Sequence, residues 1–350
     1  MTHPSLHIQP FDYRNASNDE YAAMLALANR LRAESLPEDP PIPLDEVIKE
    51  WRSMPTFVHA RAWGIWRADG SAIIARGDTF WRDAEDNKHL VEFRIQVLPE
   101  YRRQGLARQL LPLIADATRR ANRRLLVTDT NERIPAGAVF LERIGAQQGL
   151  IGHMNQLKIA ELNRALMQQW IARAQERAGD FEMGFWTGPY PEADLEAVAA
   201  LLRVMNTAPR ENLEIEDFQV TPEQIREYER SMFLRGSSRW TAYVRETATG
   251  NFAGFTELVW NPNRAEILEQ WGTGVFPEYR NRGLGRWLKA ALLDKVLREH
   301  PEIKFVRTGN ADSNAAMLKI NSEMGFKPYL SEIAWQVDIE QVERYLNHHS

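Results

Sequence analysis

The chain has 350 residues, long enough for two domains of roughly 150 residues each. Its hydrophobic share of 44% can fill two ordinary cores, and its formal net charge of -5 argues against a general nucleic-acid binder. With no cysteine, disulfides, thiolate metal sites and a cysteine nucleophile are excluded. A strand is expected from Leu6 to Phe11 and a helix near Glu20 to Glu34. Pro37, Pro40, Pro41 and Pro43 then enforce a loop, and Asp45 to Arg52 reads as a short helix. Three strands follow, at about Phe57 to Trp66, Ala72 to Phe80 and Leu90 to Val97, with Asp69-Gly70 as a hairpin turn. A helix to about Arg120, a strand Arg124 to Thr128, a helix Ala136 to Ile144 ended by Gly145, and a strand Gly152 to Ile159 complete this half.

The plan then repeats. Ala160 to Ala178 has helical period with Gly179 just past its end, and reads as a link between halves. Phe181 to Trp186 is a strand, Glu192 to Asn206 a helix, and Thr221-Pro222-Glu223-Gln224 opens another helix. Trp240 to Glu246 and Phe252 to Trp260 form a hairpin, and Ala265 to Val275 is the next strand. Gly285 to Glu299, Lys304 to Thr308, Asn314 to Met324 and Glu332 to Ile339 follow as helix, strand, helix and strand. The expected domains are 1–160 and 181–350, joined by a linker helix over 161–180. Each is an α/β domain with a mixed sheet and helices on both faces.

The segment Val275-Phe276-Pro277-Glu278-Tyr279-Arg280-Asn281-Arg282-Gly283-Leu284-Gly285 is nearly repeated by Val97-Leu98-Pro99-Glu100-Tyr101-Arg102-Arg103-Gln104-Gly105-Leu106-Ala107, 178 positions earlier. Each copy is an apolar strand, a short turn, then R-x-x-G-x-G/A opening a helix. Helix starts leave backbone N–H groups unbonded, and the helix dipole adds positive charge, so the turn suits a phosphate. The nucleoside-triphosphate loop is absent, and the dinucleotide fingerprint lacks its third glycine and acidic partner.

The element order and the R-x-x-G-x-G/A turn resemble the GNAT superfamily of acyl-CoA-dependent N-acetyltransferases. Asn310-Ala311-Asp312-Ser313-Asn314, continuing to Gly325-Phe326, resembles the family's closing segment. The resemblance covers both halves and implies two tandem GNAT-like domains. It implies acetyl-CoA, or another acyl-CoA, wedged where two parallel strands ending at Val275 and Thr308 splay apart. The pyrophosphate would lie on the N–H groups of Arg280 to Gly285, Leu284 included, with Arg280 and Arg282 adding charge. Gly283 and Gly285 would let the main chain approach it. The pantetheine arm would lie along Gly274 and Val275, the N–H of Val275 serving as oxyanion donor. Asn310 or Asn314 would bond the arm's amides. Val97, Arg102, Arg103, Gly105 and Ala107 mark a second candidate cofactor site in an eroded first half.

Direct transfer to an amine needs a base and an acid for the leaving thiolate. The family's glutamate lies ten residues before the motif's first basic residue, which gives Glu92 in the first half and Gln270 in the second. The second half offers Glu269 next door and Glu257 on the neighbouring strand. The family's acid is a tyrosine four residues before the closing glycine. Here that residue is Asn321, which can hydrogen-bond but cannot act as an acid, and Tyr329 is an alternative. The first half has Leu141 there. Eight histidines show no metal-ligand spacing, so no metal is expected. The expected partner is a small-molecule amine, with no nucleic acid or membrane, for a cytoplasmic monomer or homodimer. A non-catalytic acyl-CoA-binding protein, or a peptide N-acetyltransferase, is the rival reading.

Overall fold

The computed structural model describes residues 7–348. In chain order the first half holds β1 (His7–Phe11), α1 (Asn18–Ser35), α2 (Leu44–Arg52), β2 (Val58–Trp66), β3 (Ile73–Arg82), β4 (Leu90–Val97), α3 (Leu106–Arg120), β5 (Leu125–Asn131), α4 (Pro135–Arg143) and β6 (Gln147–Lys158). The rest holds α5 (Arg164–Arg177), β7 (Phe181–Thr187), α6 (Leu195–Leu202), α7 (Pro222–Leu234), β8 (Ser238–Glu246), β9 (Phe252–Trp260), β10 (Ile267–Val275), α8 (Leu284–Glu299), β11 (Phe305–Ala311), α9 (Ala315–Met324), β12 (Lys327–Asp338) and α10 (Ile339–His348). Local chemistry sets the helix starts. Ser17 and Glu20 form a capping box on α1, and Thr221 with Gln224 forms one on α7 behind Pro222.

Two compact units form. The first comprises Met1–Ile151, Arg210–Glu216 and Glu332–Ser350; the second comprises Gly152–Pro209 and Asp217–Ser331. These units do not follow the two halves expected from the sequence. In the first unit the strand order is β1-β2-β3-β4-β5-β12, and in the second it is β6-β11-β10-β9-β8-β7. Glu332 to Asp338 of β12 pair antiparallel with Asn131 to Leu125 of β5, while β6 residues Gly152 to Lys158 pair antiparallel with β11. The closing strand of each unit thus comes from the opposite half of the chain. The helix expected as a linker is α5. It buries Met167 and Trp170 in the core of the second unit with Leu288 and Leu292 of α8.

In both units a mixed sheet is covered on both faces. Leu284, Leu288 and Leu292 of α8 recur every four residues and are buried. Burying each such leucine contributes roughly 1.5–3 kcal/mol. Leu106, Leu110 and Ile114 of α3 form the matching stripe in the first unit.

Two features of the sheets bear on function. The parallel pairs are short. β4 pairs with β5 only from Leu90 to Glu92, and β10 with β11 only from Ile267 to Glu269. Beyond Glu92 and Glu269 the strands diverge, leaving a splay in each sheet. The second feature is a bulge. Along β10 the register against β9 passes from Gln270 opposite Leu258 to Thr273 opposite Thr256, one residue more on β10 than on its neighbour. β4 has no such step, running regularly from Glu92 opposite Phe80 to Val97 opposite Ala75.

Candidate active site

The turn after β10 is open toward its helix. A 3-10 turn at Pro277–Tyr279 leads to Arg280, and Gly283 starts α8 at a φ of 83° with no side chain capping it. The first helical bond is Trp287 N–H to Gly283 O at 3.0 Å, so the amides of Leu284 and Gly285 precede the bonded ladder. A Cβ at Gly283 would meet nothing within 4 Å, so the glycine is required by its left-handed backbone, not by crowding. At Gly285 a Cβ would make ordinary contact with Ile320 Cδ1 at 3.6 Å, so that glycine is not sterically forced.

Arg280 does something other than present charge. Its Nε donates to Val275 O at 2.9 Å and its Nη2 to Thr207 Oγ1 at 2.7 Å, tying the turn to the strand end. The Arg280 N–H is already bonded to Pro277 O at 3.2 Å, so the anion-facing amides begin after it. Arg282 keeps an exposed head, 4.0 Å from Asp180 and over the Phe181 ring. Phe276 N–H bonds Ala253 O at 2.9 Å. By the alternation of an antiparallel ladder, the N–H of Val275 therefore faces away from β9, into the splay. The position of Gly274 is filled differently: a Cβ there would lie 2.4 Å from Val204 Cγ1, in the 3-10 turn Arg203–Thr207.

Asparagines line the other side. Asn314 caps α9, its Oδ1 accepting from Met317 N–H at 3.3 Å, so that oxygen is engaged in the helix start. Asn310 Oδ1 accepts from Asn321 Nδ2 at 2.7 Å. Asn321 is only 2% exposed, and its Oδ1 has no hydrogen-bond partner among the described residues. A buried acceptor left unbonded is unfavourable by roughly 1–3 kcal/mol. An amide or thiol of an inserted arm would relieve it. This orphaned oxygen and the uncapped turn fit an acyl-CoA.

The carboxylates separate into two kinds. Glu269 is exposed, and its Oε2 accepts from Trp271 Nε1 at 3.1 Å; Trp271 is itself 45% exposed. Glu269 is the last residue of β10 paired to β11, opposite Val259 on one side and Arg307 on the other. Glu257 is buried, with its contacts gathered on one oxygen, Oε1. It accepts from the Tyr190 hydroxyl and from Thr241 Oγ1 at 3.1 Å, with Arg239 Nε 3.8 Å away. Burial first, and then the charge of Glu257, hold the Tyr190 proton well above the usual phenol range, so Tyr190 stays a donor. Arg239 also stacks 3.7 Å over the Tyr190 ring and pairs with Glu229. This network braces the sheet and engages only Oε1 of Glu257; Glu269 is the more exposed of the two carboxylates. Gln270 fills the bulge: its Nε2 donates to Glu257 O at 2.6 Å and Thr256 Oγ1 at 3.0 Å. Tyr329 packs its ring 4.9 Å from the Arg307 guanidinium.

The turn of the first unit keeps the shape and changes the chemistry. Gly105 has φ 80° and no side-chain cap, Arg103 has φ 59°, and Arg102 Nε donates to Val97 O at 3.1 Å. The Arg102 guanidinium is clamped by Glu34 at 2.7 Å and 2.5 Å, where Arg280 meets only the neutral Thr207. Next to Glu34, Ser35 accepts from Arg133 Nη1 at 2.5 Å, so the end of α1 is fastened to both strand ends that flank the splay. Ala107 follows in α3, and the buried Leu141 replaces the asparagine of the second unit. Sequence reasoning missed Glu34, Thr207 and Trp271. Only Trp271, one residue from Gln270, carried a local signal.

The family model of the acetyltransferase (GNAT) family matches residues 24–145 and 199–326. The chain belongs to that family. Its GNAT fold is a tandem one, as the sequence predicted. A tandem GNAT protein from the clavulanic acid biosynthesis pathway is similar over 96% of this chain and 99% of its own, with TM-score 0.77 and 22% identity. A GCN5-related N-acetyltransferase from Sphaerobacter thermophilus is similar over 95% and 96%, with TM-score 0.65 and 13% identity. At such identities the likeness is one of fold. No curated protein sequence matches the chain. Among the described residues, no helix is long and apolar enough to cross a membrane and no group of His, Asp and Glu could hold a metal ion.

Proposed function

We propose that this GNAT chain moves an acetyl group from acetyl-CoA to the amine of a small molecule, at the splay of β10 and β11. The observation that carries this reading is the bulged β10, splayed from β11 beside an uncapped helix start. The amides after Arg280, through Leu284 and Gly285, would hold the diphosphate, with the exposed head of Arg282 adding charge. Val275 N–H and the Asn310–Asn321 pair would hold the arm. Bound acetyl-CoA supplies a thioester carbonyl for attack by the amine. Glu269, at the mouth of the splay, takes the proton from the incoming ammonium. Trp271 N–H holds the carboxylate in place. The Nδ2 hydrogen of Asn321 that is not given to Asn310 would hydrogen-bond the departing sulfur without transferring a proton, while Oδ1 would accept from an amide of the arm.

The test is acetyl-CoA-dependent thiol release over a panel of small amines, with and without Glu269→Gln. Release that needs both an amine and Glu269 supports the reading. Tight acetyl-CoA binding with no release over the whole panel would identify a binding module instead, the reading that Asn321 in place of tyrosine favours.

A further inference from the structure

Asp78 on β3 is the counterpart of Glu257 on β9. Glu92 lies opposite Phe80, and Asp78 is two residues back; Glu269 lies opposite Val259, and Glu257 is two residues back. The two carboxylates have opposite circumstances. Glu257 receives two hydroxyl donors. Asp78 is 0% exposed, and neither of its oxygens has a hydrogen-bond partner among the described residues. Ala62 stands opposite Asp78 where Thr241 stands opposite Glu257, so the donor hydroxyl is replaced by a methyl group. Arg76 Nε is 3.4 Å from Asp78 Oδ2, but its proton goes to Gln96 Oε1 at 2.6 Å.

The rest of that face is charged and open. Arg94 is opposite Asp78, and Glu92 and Asp129 flank it; all three are exposed, and the charges of Asp78, Asp129 and Glu92 all strengthen the hold of Arg94 on its proton. With Asp78 ionised, the three carboxylates against Arg76 and Arg94 leave one negative charge in excess; with Asp78 neutral the charges balance. Phe80 and Tyr13, with ring centroids 5.6 Å apart, add an apolar wall, and the Arg94 guanidinium lies 5.9 Å from the Phe80 ring. Tyr13 keeps its proton, held by burial and by the charge of Asp78, with Glu50 adding to the effect. Burial favours the neutral form of Asp78, opposed by Arg76 and Arg94. A buried carboxylate without donors is unfavourable unless it is neutralised or paired, so a ligand that brings N–H donors would stabilise it.

We propose that the first unit binds a small organic cation with N–H donors, an ammonium or a guanidinium, whose hydrogens bond the two oxygens of Asp78 beneath Arg94. The site is an amine-binding site without acyl transfer, since the end of α1 is fastened across the neighbouring splay.

The test is an amide chemical-shift titration of the full chain with ethylammonium and ethylguanidinium chloride. Tetramethylammonium, which has no N–H, serves as control at equal ionic strength. The expected result is saturable shifts at Ala62, Asp78 and Arg94 with at least one of the two donors and not with the control. Asp78→Asn, which keeps the shape and removes a buried charge, should weaken binding roughly tenfold or more. Arg94→Gln removes a competing cation at an exposed position and should tighten it. The idea is overturned by equal shifts with tetramethylammonium, by no saturable shift, or by an unchanged affinity in either variant. It is also overturned if the Asp78 carboxyl carbon reports a protonated acid at about pH 8 with and without the amine.

Discussion

Glu269 of β10 holds the place in the second unit that Glu92 of β4 holds in the first. Each is the last residue of its strand paired to the parallel neighbour, Glu92 to Val127 and Glu269 to Arg307. Glu92 to Val97 is five steps, whereas Glu269 to Val275 is six, and the bulge after Gln270 takes up the difference. A gapless alignment of the two strands therefore points to Gln270, which is buried in the bulge. We expect Glu269→Gln to lower kcat/KM by roughly 10²–10⁴ with the acetyl-CoA Kd unchanged, and Glu92→Gln to lower neither. Steady-state kinetics beside calorimetric binding measures both, and a silent Glu269→Gln removes Glu269 as the base.

The two glycine turns offer a matched pair of substitutions. Gly105 and Gly283 have φ near 80° in open surroundings, so alanine at either strains the backbone by about 1–2 kcal/mol. Thermal melts should show similar losses for Gly105→Ala and Gly283→Ala. Only Gly283→Ala should weaken acetyl-CoA binding, because only that turn lacks a carboxylate clamp on its arginine. Equal weakening by both would place a working nucleotide site in each unit.

How much of this was legible in the sequence depends on whether the signal was local. Two copies of a turn motif, glycines at 105 and 283, and strand patterning disclosed both GNAT folds. The carboxylate clamp was not legible, because Glu34 and Arg102 are 68 residues apart and meet only in the fold. Nor was the exchange of β6 and β12, since a closing strand pairs equally well with either sheet by pattern alone. Asn314 read as a cofactor ligand, yet its side chain is a helix cap, a use that any asparagine before a helix can have. The bulge left one local mark, Gly272 inside the strand, which allowed a bulge beside Glu269 without fixing which residue is the extra one.

Asn321 is expected to matter more for affinity than for stability. Its Oδ1 is buried with no partner, and the first unit has Leu141 at the matching place. Asn321→Leu removes the orphaned acceptor but also the donor to Asn310 Oδ1, so the two effects oppose and the free protein should change by no more than about 1 kcal/mol in denaturant unfolding. Acetyl-CoA affinity should fall by roughly tenfold as the arm loses a hydrogen-bonding side chain. A variant that binds acetyl-CoA as well as the parent would show that Asn321 faces the core and not the arm.

Lys289 of α8 is 1% exposed, with its Nζ 5.5 Å from the Phe326 ring, and the matching residue of α3 is the buried Leu111. Burial lowers its pKa from 10.5 to about 7. In the unfolded chain the amine keeps its proton up to about pH 10.4, so between these values the unfolded state binds more protons than the folded one. The penalty for burying Lys289 therefore grows as pH falls from the unfolded value toward 7, and below 7 it stays constant. Stability should accordingly rise with pH, by about 3 kcal/mol at most between about pH 7 and pH 9.5 from this group alone. Lys289→Leu should raise the unfolding free energy at pH 7 and flatten that slope. Denaturant unfolding at several pH values compares the two proteins. Identical slopes in parent and variant would mean that the Lys289 amine reaches water in the folded state.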